Sequence, residues 1–346
     1  MKRTLIDLLV CPRHGRPLDL EKEEVLAANG SDGARGEIAS GALVCPEGCH
    51  HPIVGGIPRF VESDRYAQNF GMQWNLHART QLDGAASSLS RDRFFSETAL
   101  GAADLDGKLV LDAGCGMGRF SDVVAGEGAT VVGVDLTRAV ESAHANVGGR
   151  ERAHFAQADL FELPFRPATF DVVFSIGVLH HTPDPPRAFQ RLVELVKPGG
   201  CLAISVYSKY PGWGWHEKVR ERFTSKMDPE KLYRLCKLLV PLAPLFSLRI
   251  PGDPLYRLVW YPRGSSGYRD PQWRLLDLFD HYSPTYQFRY DYPEVAEWFR
   301  RAGIRQIELM PVPVCITGWK ESRDWAATES GGHEDRPHYG HELTAH

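Results

Sequence analysis

In VLDAGCGMGRF, residues 110–120, glycines fall at every second position, Gly114, Gly116 and Gly118, directly after a short apolar run that carries Asp112 at its end. A glycine turn between a strand and a helix lets backbone approach a ligand closely. A dinucleotide fingerprint would need its third glycine where this chain has Arg119, and Asp112 would repel a pyrophosphate. The same carboxylate would attract an ammonium group, and S-adenosylmethionine carries both an α-ammonium and a sulfonium. Asp135 closes the next expected strand, in VVGVDL, 21 residues past Gly114. A carboxylate there can accept hydrogen bonds from both hydroxyls of a ribose. Asp159 closes the third, in AQADLFELPF, and can accept from an adenine amino group. His180 and His181 in GVLHHTPDP follow the fourth strand, and their unperturbed pKa suits a proton acceptor; the bland reading of either is a histidine that caps the loop.

The order of these motifs, with FDVVFSIGVLHHTPDPPRAF and LVKPGG, resembles the class I S-adenosylmethionine-dependent methyltransferases over roughly residues 107–208. The histidine loop looks closest to the ubiquinone and menaquinone biosynthesis members. It lacks the Asn-Pro-Pro-Tyr signature of amino-group methylation. The resemblance implies that the backbone from Gly114 to Gly116 lies against the methionine moiety, with Asp112 near its ammonium. It implies Asp135 on the ribose, Leu136 beside the adenine, Asp159 and the backbone of Leu160 at the adenine edge, and Ser175 beside the reacting methyl. Gly118 would permit close helix packing. A segment before the first strand commonly covers the cofactor in this fold, so Gln73 or Arg79 of YAQNFGMQWNLHARTQLD is expected at the methionine carboxylate. Phe70, Trp74 and Leu76 in the same stretch read more simply as core anchors.

A second chemistry sits near the N-terminus. CPRHGRPL and VCPEGCHHPIVGGIPRF form two turns bearing Cys11, His14, Cys45 and Cys49, with His50 as a substitute ligand. Two such knuckles can supply the four soft or borderline ligands of a tetrahedral zinc. The LLVCP start and GIPRF end resemble the small zinc ribbon that serves as activator of RNA and protein methyltransferases. His14 stands where that ribbon usually has a second cysteine, and the second knuckle has three intervening residues in place of two. The alternatives are one structural zinc or a metal-free ribbon.

These residues need a frame, and the chain supplies one. From 107 to 208 apolar strands alternate with helical segments, which implies α/β architecture with a parallel sheet covered on both faces. The resemblance makes this a Rossmann-like, doubly wound seven-stranded methyltransferase sheet, IRQIELM and VCITGWK supplying the last antiparallel pair. We expect four zones: a zinc-ribbon-like unit at 1–62, a helical connector and cofactor lid at 63–106, a methyltransferase domain at 107–320, and a disordered tail at 321–346. Residues 209–290 read as an insertion rich in aromatics and proline, without clear periodicity, whose Trp213, Trp215, Tyr256, Trp260, Tyr261 and Tyr268 suit a cap over an apolar acceptor. LCKLLVPLAPLF within it is either buried or a membrane or partner surface.

Composition narrows the function. With 346 residues, 43% hydrophobic and a net charge of −4, the chain can bury a sizeable core and carries no basic footprint, which argues against a phosphate-dominated nucleic-acid partner. We expect no signal peptide and no transmembrane segment, hence a cytoplasmic protein. Three classes follow: a methyltransferase acting on oxygen or carbon of a small, partly apolar acceptor; an RNA methyltransferase whose ribbon grips the nucleic acid; and a cofactor-binding scaffold without turnover. The acceptor's identity and the oligomeric state are not legible.

Overall fold

The computed structural model describes residues 1–25, 37–62, 67–84, 88–209, 215–242, 271–312 and 314–320. Two sheets organise them. The larger has seven strands: β5 (Leu109–Ala113), β6 (Thr130–Asp135), β7 (Ala153–Gln157), β8 (Phe170–Ile176), β9 (Val196–Ser205), β10 (Gln306–Leu309) and β11 (Cys315–Trp319). Their spatial order is β10-β11-β9-β8-β5-β6-β7. Strands β5 to β9 pair in parallel, and β11 runs against both of its neighbours. The central strands are continuous apolar runs, as sheets covered on both faces require: Val110, Leu111, Val131, Val132, Val173 and Phe174 are all fully buried. The chain leaves β5 towards β6 on one side and reaches β8 on the other, so a crevice opens at the carboxyl ends of β5 and β8.

Local chemistry sets the covering helices. α5 (Pro185–Leu195) starts where the Asp184 side chain accepts from the Arg187 N–H, with Pro185 in the first turn, and buries Ala188, Phe189, Leu192 and Val193 along one face. α9 (Tyr292–Arg301) begins with a reciprocal capping box between Asp291 and Glu294 and buries Val295 and Phe299. α3 (Arg119–Gly126) begins at Gly118, φ +87, where an added Cβ would meet Ala143 and Val147 of α4 (Ala139–Val147) at 3.1–3.2 Å. Gly118 therefore sits at a close helix–helix contact.

The smaller sheet has strands β1 (Asp19–Val25), β2 (Ile38–Val44), β3 (His50–Val54) and β4 (Ile57–Pro58), antiparallel in that order. Its apolar residues Ile38, Leu43 and Ile53, with Leu5 and Leu9 from the segment before β1, join one continuous core with Leu163 and Phe165 and with Phe170 of β8. The join is also hydrogen-bonded. The Val10 N–H donates to the Pro164 carbonyl and the Phe60 N–H to the Gln157 carbonyl, both 2.9 Å, so residues after β4 run beside edge strand β7.

The connector is helical, with α1 (Gln68–Leu76) and α2 (Leu89–Glu97). Leu76 is not a core anchor: it ends α1 and is 55% exposed. The insertion also departs from the expected irregular chain. It contains α6 (Trp215–Arg222), α7 (Pro229–Leu239) and α8 (Pro271–Tyr282), and Leu232 and Cys236 of α7 bury against Leu275, Leu278 and Phe279 of α8. Of the LCKLLVPLAPLF stretch, Cys236 is buried while Leu235 and Leu238 are exposed. Trp213, Tyr256, Trp260, Tyr261, Tyr268, the side chain of Trp215 and the tail from 321 lie outside the described residues. No helix among the described residues is long and apolar enough to cross a membrane.

Candidate active site

The glycine turn after β5 is held by its own N–H groups. Gly114 and Cys115 both donate to the Val134 carbonyl, at 2.8 and 2.9 Å, and Gly116 donates to Asp135 Oδ2 at 2.9 Å. With these three donors engaged, the turn is not a phosphate cradle of free N–H groups. Its glycines are required by backbone and space. Gly114 has φ +92, and a Cβ would sit 2.5 Å from Val178; Gly116 has φ +52, and a Cβ would sit 3.3 Å from Trp74 Nε1 across a cleft. That cleft is part of a cavity of about 340 Å³ at the carboxyl edge of the sheet.

Helix α1 closes one side of the cavity with Phe70, Gln73 and Trp74, spaced three and four residues apart and so on one helical face. Asp135, Leu136 and Leu160 line it as well. The Asp135 carboxylate is aimed by three donors: the Gly116 N–H on Oδ2, and the Thr137 N–H at 2.8 Å and hydroxyl at 2.7 Å on Oδ1. The Leu136 carbonyl is taken by Gln157 Nε2 at 2.9 Å. Gln73 is fully buried; its amide nitrogen lies 3.4 Å from Asp280 Oδ1, and its Oε1 has no partner. An unpartnered buried acceptor beside a glycine-floored cleft and an oriented carboxylate fits a ligand with an ammonium at one end and a ribose at the other.

Of the residues singled out from sequence, Gln73, Gly114, Gly116, Asp135, Leu136, Leu160 and His181 line this cavity; Asp112, Asp159, Ser175 and His180 do not. Asp112 is buried beneath the turn and accepts from the Ser121 hydroxyl at 2.6 Å. Burial, with repulsion from Asp135, pushes its carboxyl up to about 7. Asp159 accepts from the Phe161 N–H, and Ser175 donates to the Ala113 carbonyl between β5 and β8. Arg79 is exposed and does not line the cavity.

The two histidines are not equivalent. His181 Nδ1 lies 2.9 Å from the Tyr286 carbonyl, which can only accept, so the proton belongs on Nδ1 and Nε2 keeps its lone pair. Its ring packs against Phe70 at 4.9 Å on the cavity wall. His180 Nδ1 instead accepts from the Tyr207 N–H at 3.3 Å, its ring stacks on Tyr207 at 3.8 Å, and its Nε2 is buried without a partner. Burial lowers the pKa of both, for His180 well below the usual range.

Sequence reasoning missed Trp74 as a cavity wall, Thr137 as an orienting group, and the pair Tyr207 and Asp280, whose hydroxyl and carboxylate meet at 2.8 Å on the cavity lining. Thr137 was accessible, since a threonine two residues past a strand-end aspartate commonly bonds it. Tyr207 and Asp280 lie 73 residues apart and no spacing joins them.

At the ribbon, the sulfurs of Cys11, Cys45 and Cys49 lie 3.7, 3.5 and 3.6 Å from His14 Nδ1. A tetrahedral zinc with Zn–S of about 2.3 Å and Zn–N of about 2.0–2.1 Å has sulfur–nitrogen edges of about 3.6 Å. Of these, Cys11, His14 and Cys45 place their ligand atoms within 4.8 Å of one another and could hold a metal ion. His50 is exposed at the start of β3.

The fold, the crevice position and the oriented acidic strand end define a class I methyltransferase frame. The family described as "Methyltransferase domain" matches residues 111–204. The ubiquinone biosynthesis O-methyltransferase of Leptothrix cholodnii is 34% identical over 177 residues, 47% of this chain and 75% of that protein. The enzyme of that name from Paracidovorax citrulli is 34% identical over 145 residues, and there the chain spans 61% of the relative's length. Magnesium protoporphyrin IX methyltransferase from Synechocystis PCC 6803 with bound SAH is 17% identical, with 74% of this chain and 97% of that chain covered and a TM-score of 0.40. The chain belongs to the class I S-adenosylmethionine-dependent methyltransferases.

Proposed function

We propose that this methyltransferase transfers a methyl group to oxygen of a small, partly apolar acceptor bound between α1, α8 and the carboxyl edge of the sheet, with His181 as proton acceptor. The observation that carries it is the tautomer of His181: a ring on the cavity wall, clamped through Nδ1 by the Tyr286 carbonyl, presenting the Nε2 lone pair. The names of the 34%-identical relatives support oxygen as the receiving atom. When bound, S-adenosylmethionine supplies an electrophilic methyl on a good leaving group. What remains for the protein is alignment, exclusion of water and removal of the acceptor's proton. Phe70 and Trp74 close the cavity over the turn, Asp135 would hold the ribose, Gln73 Oε1 would receive an ammonium proton, and His181 Nε2 would take the hydroxyl proton as the oxygen lone pair is committed to the methyl. His180 is read as a structural residue. We further assign one structural zinc to Cys11, His14, Cys45 and Cys49, and read the protein as cytoplasmic without a nucleic-acid partner, the net charge of −4 supporting the last point.

The test is mass spectrometry of metabolite extracts incubated with protein and deuteromethyl-labelled S-adenosylmethionine. Label should appear on a hydroxyl of a small molecule. His181→Gln should slow that transfer by roughly 10²–10⁴-fold with S-adenosylhomocysteine affinity nearly intact. Label found only in RNA, or transfer undiminished in His181→Gln, would sink the reading.

A further inference from the structure

The acceptor side of the cavity holds a carboxylate that the reading above does not use. Asp280, on α8, lines the same cavity as His181. Its position is fixed from two sides: the Tyr207 hydroxyl donates to Oδ2 at 2.8 Å, and Gln73 Nε2 lies 3.4 Å from Oδ1. Tyr207 in turn is anchored by a backbone bond to His180 and meets the His181 ring edge-on at 5.3 Å. Three elements that are remote in sequence thus converge to hold one negative charge beside one imidazole.

The charges around that imidazole make the carboxylate necessary. A base that takes a proton becomes an imidazolium, here in a buried pocket where desolvation opposes the charge. From α6 and the loop before α9, the cations Arg220 and Arg289 oppose it further. Arg289 is partly offset by Glu217 at 2.6 Å, and Arg220 by Glu221 at 3.5 Å. His180, its ring centroid 4.1 Å from that of His181, is neutral by burial, and Arg93 on α2, which lines the same cavity, is paired with Glu97 at 2.5 Å. Asp277, one turn before Asp280 on α8, also lines the cavity and acts electrostatically on Tyr207. Asp280 is the group whose charge favours protonation of His181 against burial and both arginines.

We propose that Asp280, held by Tyr207 and Gln73, is a positioning residue that supplies the counter-charge to the imidazolium formed on His181 when the acceptor hydroxyl gives up its proton. This rests on the assignment of His181 as the base. The proton passes from the acceptor oxygen to His181 Nε2, the oxygen lone pair forms the new C–O bond, and the electron pair of the broken S–C bond stays on sulfur. Asp280 neither gives nor takes a proton; both of its oxygens already face donors. Without it the transfer would leave an uncompensated cation among Arg220 and Arg289.

Histidine-selective NMR titration of the full chain, saturated with S-adenosylhomocysteine, tests the idea with no acceptor present, the His181 resonance being assigned by its loss in His181→Gln. Asp280→Asn should move the His181 midpoint to lower pH, Asp280→Glu should restore most of it, and Tyr207→Phe should move it the same way by less. An unchanged midpoint in folded, ligand-saturated Asp280→Asn overturns the proposal. Should that variant not fold, Tyr207→Phe, which removes a single hydroxyl, decides: no shift there refutes the counter-charge. The outcomes separate from the base assignment, because a His181→Gln enzyme with full activity refutes the base while leaving the titration shift in place.

Discussion

Replacing Asp135 with alanine tests the cofactor end of the cavity most directly. Its carboxylate is a junction: it accepts from the Gly116 N–H at 2.9 Å, the Thr137 N–H at 2.8 Å and the Thr137 hydroxyl at 2.7 Å, and it lines the cavity where a ribose would lie. Truncation removes at least one charge-assisted bond to a ribose hydroxyl, worth about 1.5–3 kcal/mol. That is roughly a 10- to 150-fold rise in the Kd of S-adenosylhomocysteine. It also strips Gly116 of the acceptor that holds the turn, adding about 1–3 kcal/mol of lost stability, moderated by the residue's partial exposure to water. Asparagine should be no milder than alanine. Its single oxygen can serve Gly116 or Thr137 but not both, and its NH₂ would then face a donor. Thr137→Val, removing one of the three donors, should weaken binding by less than about 5-fold. Calorimetric titration with S-adenosylhomocysteine and thermal melting of the four proteins provide the assay. Equal affinity in wild type and Asp135→Ala would remove the ribose assignment, and a ranking with Asn well above Ala would refute the junction argument.

Gly116→Ala places a Cβ in the cleft 3.3 Å from Trp74 Nε1 at φ +52, so cofactor-product affinity should fall about tenfold or more while melting drops by the roughly 1–2 kcal/mol of a left-handed alanine; unchanged calorimetry would mean the cleft is not the ligand path. Asp112 is raised from 3.8 to about 7, first by burial and then by Asp135, so the native state holds a proton that the unfolded chain releases. Its favourable contribution is present at low pH, declines between about pH 4 and pH 7, and is flat above. The melting gap between Asp112→Asn and wild type should therefore widen up to pH 7 and then stay constant; a gap independent of pH would refute the raised carboxyl. Elemental analysis of gently purified protein should find about one zinc per chain, with Cys45→Ser losing both metal and melting temperature. A metal-free protein whose melting is untouched by Cys45→Ser would leave the ribbon as a purely packed unit.

The frame was legible because each of its strands advertises itself. Val110, Leu111, Val131, Val132 and Val134 are β-branched or leucine runs that only a doubly covered sheet tolerates, and Asp184 before Pro185 marks where α5 begins. The turn and Asp135 were legible for a related reason: both interact within 25 residues of each other, so their spacing carries the geometry. The helices of the insertion were missed although their local marks are present. Asp228 caps α7 ahead of Pro229, and Leu275, Leu276, Leu278 and Phe279 follow helical spacing in α8. What hid them was the density of proline and aromatic residues between, which breaks any window long enough to show a period.

The acceptor side was hidden for a deeper reason. His181 was marked by its place after the fourth strand, but Tyr207 and Asp280 stand in unremarkable local sequence, and the bonds that join the three span 105 residues to Tyr286, 73 between Tyr207 and Asp280, and 207 between Gln73 and Asp280. Pairing of that kind exists only once α8 has docked over the crevice between β5 and β8, so no motif records it. The glycine turn and Asp135 come from the neighbouring strands β5 and β6, whereas Tyr207 and Asp280 are brought together from beyond the end of β9 and from α8. On the proposed reading, substitutions in α8 would alter the protonation of His181 while the glycine turn and Asp135 remain as they are.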